Sequence, residues 1–193
     1  MTRQKRLAAF GFSLASVAVS FDVGSLSLPG HIHFVSPGQV NVQVPWELAG
    51  QTSVRMKVTQ SDFYPSDLVT VPLAQYSPGI FAITDSANNL ISASNPAKRG
   101  SGIVIYANGL GPVDIQPASG EATPSTLPLA NTKVPATVTL AGSPTQVSFS
   151  GLTPGSIGLY QVNAAIPDNT PAGTQALTLS IGGQDVTVNI PVM

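Results

Sequence analysis

Two histidines, His31 and His33, are the only imidazoles in the chain. Two positions apart on an alternating segment, they would share one face of a strand, close enough to hold a metal ion together, with Asp22 able to join from a neighbouring strand. Zinc usually takes three or four protein ligands, so two imidazoles make a thin site, and a solvated strand face is the plainer reading. Serine hydrolysis needs a nucleophile, an imidazole base and an orienting carboxylate. No G-x-S-x-G elbow occurs; GFSLA at Gly11 lacks the second glycine. Asp62, Asp67 and Asp85 fall in loop-like segments and could meet calcium, but without D-x-D-x-D-G spacing they read as local Asx turns. Asn108-Gly109-Leu110-Gly111 opens no helical pattern, so it offers no helix terminus to a phosphate. Among the aromatics, Trp46, Phe63, Tyr64 and Tyr76 stand out. Trp46 and Tyr64, exposed together, would form a flat platform for a sugar or other ligand; burial in a core or junction is the commoner use of such rings. No residue is assigned a catalytic, metal-binding or cofactor-binding role, and no enzyme activity or cofactor is expected.

The 193 residues carry 42% hydrophobic side chains, enough to fill a core, but only 9% charged ones against a usual share of about 25%. With a net charge of -1 and no basic stripe beyond the first six residues, nucleic acid is not an expected partner. Cysteine is absent, which excludes disulfide scaffolds, thiolate metal sites and thiol catalysis. No run approaches the roughly 20 apolar residues of a membrane helix. The N-terminus carries two readings. Arg3, Lys5 and Arg6, an apolar stretch and Ala18-Val19-Ser20 make a passable secretory signal over 1–20, cleaved before Phe21; alternatively SVAVSFDV over 16–23 is the first strand.

These residues must be positioned by β-strands, because nearly every segment has period two. Val40, Val42 and Val44 alternate with Gln39, Asn41 and Gln43; Val54, Met56 and Val58 alternate with Arg55 and Lys57; Leu177, Leu179 and Ile181, and Val186, Val188 and Ile190, repeat the pattern. Further strands are expected over 31–35, 68–73, 80–84, 102–107, 136–140, 146–150 and 159–166. No apolar stripe of helical period persists for three turns. Gly182-Gly183 reads as a two-residue hairpin, and the Pro-Gly pairs at 37–38, 78–79 and 154–155 as turns.

The sequence also matches itself. Gln39-Val40-Asn41 aligns with Gln161-Val162-Asn163, Pro45 with Pro167, Ala49-Gly50 with Ala172-Gly173, Val54, Met56 and Val58 with Leu177, Leu179 and Ile181, and Val69-Thr70-Val71 with Val186-Thr187-Val188. Upstream, SVAVSFD resembles ATVTLAG, and Phe10–Leu14 reads as a worn counterpart of 102–107. The expected fold is all-β, two tandem immunoglobulin-like β-sandwich units over 1–90 and 91–193, joined across the polar stretch 85–100.

VSPGQVNVQVPWE (35–47), YSPGIFAI (76–83), NPAKRGSGIVIYANGLGPV (95–113) and GLTPGSIGLYQVNAAIP (151–167) together resemble the Solibacter-type C-terminal domain, an uncharacterised family found at the ends of large exported acidobacterial proteins. The likeness covers nearly the whole chain after about residue 16. It implies tandem immunoglobulin-like units in the style of the IPT/TIG domains of surface proteins, no catalytic residues, and a place outside the cell or at its surface. The family usually follows another module, so with few residues ahead of the likeness the sequence is expected to be either a free-standing secreted copy or a truncated reading frame. The expected function is a non-catalytic interaction or adhesion module whose partner is a protein or glycan at the cell surface. The alternatives are a structural subunit self-associating through strand edges and a carbohydrate-binding module.

Overall fold

The computed structural model describes residues 9, 11–60 and 65–193. They form an all-β, sandwich-type structure of antiparallel sheets whose one helical element is a single 3-10 turn. The chain divides into two compact units, the first made of 1–74 plus 117–123, the second of 75–116 plus 124–193.

The first unit holds β1 (Ser13–Leu14), β2 (Val17–Val23), β3 (Leu26–Pro29), β4 (His31–Ser36), β5 (Gln39–Gln43), the 3-10 turn Trp46–Leu48, β6 (Ser53–Gln60) and β7 (Val69–Pro72). Strand β2 is central to one sheet, with β1 and β3 along one side and β6, then β7, on the other; β4 and β5 form a separate hairpin. Alternation in β2 sends Val19 and Phe21 inward to meet Ile32, Leu48 and Val54, and these five make the buried core. The segment 17–23 is thus a strand, and the cleavage position before Phe21 lies within it.

The second unit holds β8 (Gly79–Asp85), β9 (Gly102–Asn108), β10 (Thr137–Leu140), β11 (Ser143–Pro144), β12 (Val147–Leu152), β13 (Tyr160–Ala165), β14 (Gly173–Ile181) and β15 (Gln184–Val192). They make two four-stranded sheets, β11-β10-β14-β15 and β12-β13-β9-β8. Ile105, Leu152, Val162, Leu177 and Leu179 are fully enclosed. At roughly 25 cal/mol per Å² of apolar surface removed from water, these alternating faces are the main stabilising term. The Gly182-Gly183 hairpin forms as expected, both residues having positive φ.

Three expectations are corrected. A division at 90/91 falls inside the second unit, because β8 and β9 pair with each other across the polar stretch 85–100, which is the connection between them. The stretch around Phe10–Leu14 is not placed like 102–107: Gly11 bridges Ile32 and Ser13–Leu14 pair with β2, whereas β9 lies between β13 and β8; Phe10 itself lies outside the described residues. The histidines do not share a face, because the β4–β5 ladder shifts register between Ile32 and Phe34. The extra residue breaks the alternation, leaving His31 buried and His33 exposed.

Corresponding pairings recur in the two units. Asn41 lies opposite Phe34, and Asn163 opposite Phe149; the β12–β13 ladder shifts between Val147 and Phe149 as β4–β5 does between Ile32 and Phe34. The β2–β3 hairpin closes on Val23 and Leu26, and the β10–β11 hairpin on Leu140 and Ser143. The hairpin-closing residues Val23 and Leu140 are three positions out of the register in which SVAVSFD and ATVTLAG match by sequence.

Candidate interaction surfaces

Beyond β5, Pro45 opens the 3-10 turn that drives Leu48 into the first core. The segment Pro117–Thr123, a strap from a distant part of the chain, is pinned to this turn by polar contacts. The Trp46 backbone N–H donates to Ser119 Oγ at 2.9 Å, and the Ser119 hydroxyl donates to the Glu47 carboxylate at 2.7 Å. The Gly120 N–H donates to Gln43 Oε1 at 2.8 Å. Gly120 has φ +81°, and a Cβ built on it would lie 1.9 Å from His31 Nδ1, so only glycine lets the strap lie on the imidazole. On the same ring, Phe12 packs at a centroid distance of 4.8 Å. Ser119, His31 and Glu47 thus occur in one region, but a hydroxyl donating straight to a carboxylate is a clamp; in a hydrolytic triad the imidazole stands between them.

Trp46 is half-buried, and its Nε1 is enclosed with no hydrogen-bond partner among the described residues. Its proposed companion in a ligand platform, Tyr64, lies outside the described residues, as do Asp62 and Phe63. Tyr76 is half-buried, against Gly111 and Gly182.

Three aspartates, Asp85, Asp114 and Asp22, are occupied by the fold. Asp85 Oδ1 accepts from the backbone N–H groups of Ala87 and Asn89, both at 2.9 Å, and Oδ2 accepts from the side-chain amides of Asn89 and Asn95, both at 3.2 Å. The Asn89 backbone bond, then the Asn89 side chain, hold this carboxyl below the usual aspartate value. Donors converging on a carboxylate are an Asx-turn arrangement, with positively polarised hydrogens where a cation would need free oxygen. At Asp114 partial desolvation works upward and is outweighed by hydrogen bonds from Asn131 and neighbouring amides, so its pKa is also lowered. Asp22 receives the Ser27 hydroxyl at 2.5 Å and Lys57 Nζ at 3.4 Å; the Ser27 bond leads in lowering its pKa. Asp67 is exposed. Among the described residues no three His, Asp or Glu side chains come together as a metal site, and no helix is long and apolar enough to cross a membrane.

The repeated Gln-Val-Asn triplets have a shared local geometry. Residues two apart on a strand face the same side, and Gln39 Nε2 donates to Asn41 Oδ1 at 2.6 Å just as Gln161 Nε2 donates to Asn163 Oδ1 at 2.8 Å. The surroundings differ. Strand β13 is flanked by β12 and β9, whereas β5 pairs with β4 alone among the described strands. Val162 is accordingly 0% exposed and Ala164 4%, while Val40 and Val42 are half-buried. On the β12-β13-β9 sheet, an open depression of about 430 Å³ is lined by Ser86, Val104, Gln146, Ser148 and Asn163 among others, with no titratable side chain. Sequence reading passed over Ser119 and Gly120, whose only signal was one glycine in a polar run, and over the edge of β5 that is unpaired among the described strands. Comparison with protein-family models, with curated proteins and with solved structures returned no match.

Proposed function

We propose that this chain is a non-catalytic interaction or adhesion module acting outside the cell or at its surface, with a protein or glycan as partner. The observation that carries the reading is that the groups best suited to chemistry serve the fold: the Ser119 hydroxyl and Glu47 clamp the strap, and Asp85, Asp114 and Asp22 are held by local donors. The low share of charged residues, 9%, and the resemblance to exported acidobacterial domains agree with it. In this reading the two units are tandem immunoglobulin-like copies. Support comes from the matching strand orders β3-β2-β6-β7 and β11-β10-β14-β15, the shared ladder shift before Phe34 and Phe149, and the paired Gln–Asn hydrogen bonds. Affinity capture from a cell-envelope fraction tests the function, and recovery of no specific partner counts against it. A glycan array addresses the carbohydrate-binding alternative through Trp46 and Tyr64. Association by strand addition is favoured by one observation, that β5 pairs with β4 alone among the described strands.

A further inference from the structure

Ser36 pairs with Gln39 around the two-residue turn Pro37-Gly38. In such a hairpin the mouth pair is hydrogen-bonded across the strands, and alternation then turns the peptide groups of Val40 and Val42 away from β4, toward the open edge. The strand's own sequence does nothing to discourage pairing. From Ser36 to Trp46 the chain has no charged residue, and the strand carries no proline before Pro45. In the second unit the corresponding edge of β13 is covered by β9 in antiparallel register, with Val162 opposite Ile105.

The sequence of β5 indicates what covers this edge. Gln39-Val40-Asn41-Val42-Gln43 reads the same in both directions. An antiparallel strand meets its partner reversed, so a two-fold axis through Asn41 sets Val40 opposite Val42 of a second copy, Gln39 opposite Gln43, and Asn41 opposite its own counterpart. Such self-complementarity is what an isologous interface requires. We propose that β5 pairs with β5 of a second copy of this chain, joining two β4–β5 hairpins into one four-stranded sheet. The peptide groups of Val40 and Val42 exchange hydrogen bonds across the axis, and their half-exposed side chains cover one another. The second unit reaches four strands in its β12-β13-β9-β8 sheet from its own chain; the first reaches it through the partner. A contact of one short strand lies below the roughly 1,200 Å² of a stable interface, so the dimer is transient and concentration-dependent.

This inference rests on reading the chain as an interaction module, and its test is independent of any envelope partner. Sedimentation equilibrium of the full chain over a wide concentration range is expected to show monomer and dimer. Asn41 is exposed, so N41K and N41E fold as monomers while placing like charges opposite each other at the axis. Each is expected to raise the dimer dissociation constant at least about tenfold, and an equimolar mixture of the two to restore dimer. A wild-type chain that stays monomeric at every concentration overturns the proposal. So does a dimer indifferent to both substitutions, or a mixture that remains monomeric. A monomer that binds an added GIVIYAN peptide without dimerising assigns the edge to a foreign strand and overturns self-pairing. Envelope capture that fails while the charge-swapped pair still dimerises leaves this inference standing and removes the surface-partner reading.

Discussion

Replacing Gly120 by alanine tests whether the strap is part of the first unit's stability. The new Cβ would lie 1.9 Å from His31 Nδ1 and 2.5 Å from Cε1, where carbon contacts need about 3.5–4.0 Å, so strap or ring must move by more than an ångström. A left-handed non-glycine residue costs about 1–2 kcal/mol, and forcing a methyl into a packed site about 1–3 kcal/mol more. The expected loss is therefore about 2–5 kcal/mol. Detachment of the strap sets the upper end, since it gives up the Gly120–Gln43 and Trp46–Ser119 hydrogen bonds at about 0.5–1.5 kcal/mol each and exposes the buried Ala122 and Thr123. Gly50 supplies the control: its φ is +85° but a Cβ there meets nothing within 4 Å, so Gly50→Ala carries the backbone cost alone. Urea unfolding followed by fluorescence of Trp46, the only tryptophan, reports the first unit for both variants. Glutamate-specific proteolysis gives a second readout, because the chain has glutamates only at Glu47 and Glu121 and the latter sits in the strap. Gly120→Ala is expected to unfold at clearly lower urea than Gly50→Ala and to be cut faster at Glu121. Equal midpoints and equal cutting would refute the seating of the strap on His31.

Three further outcomes are expected. Leu179→Ala, at a site 0% exposed, should cost about 2–5 kcal/mol in thermal melts of the second unit, and Leu179→Asp should unfold it; Val42→Asp, at a half-buried edge position, should be milder. Asp85 has a folded pKa below its unfolded value near 3.8, so its contribution is present above that value and lost as pH falls through the lower folded one; NMR titration should place its carboxyl below 3.8, and Asp85→Asn should flatten that part of the acid limb. Tyr160 donates its hydroxyl to the Gly111 carbonyl, and burial raises its pKa above the ordinary 10.0. Tyr160→Phe should cost about 1–2 kcal/mol, and in the wild type stability should fall as pH rises above 10, with the phenol ionising as the unit opens, read by ultraviolet titration.

The strands were legible because alternation is local: 39–43, 54–58, 102–107 and 177–181 each declare their buried face within five residues, and all are strands. The ladder shift at His33 was not, since one inserted residue in HIHFV changes the geometry but not the alternating composition. The clamp was invisible for a different reason: Ser119 and Gly120 meet partners 72 to 77 residues away, and no pattern within a segment encodes that distance. The boundary near residue 90 failed because a polar Asn- and Ser-rich stretch marks a loop, whether that loop joins two units or two strands of one sheet. Of the suggested platform, Trp46 is placed as a half-buried side chain at the start of the 3-10 turn.

The excursion of 117–123 into the first unit sets an order of manufacture. A ribosome releasing this chain delivers β8 and β9 before the residues that finish the earlier unit, so that unit waits, unsealed over His31, until about fifty further residues have emerged after residue 74. Neither unit can be excised by one cut: a fragment ending at residue 74 forfeits its clamp, and a fragment starting at residue 75 carries a stray loop meant for its neighbour.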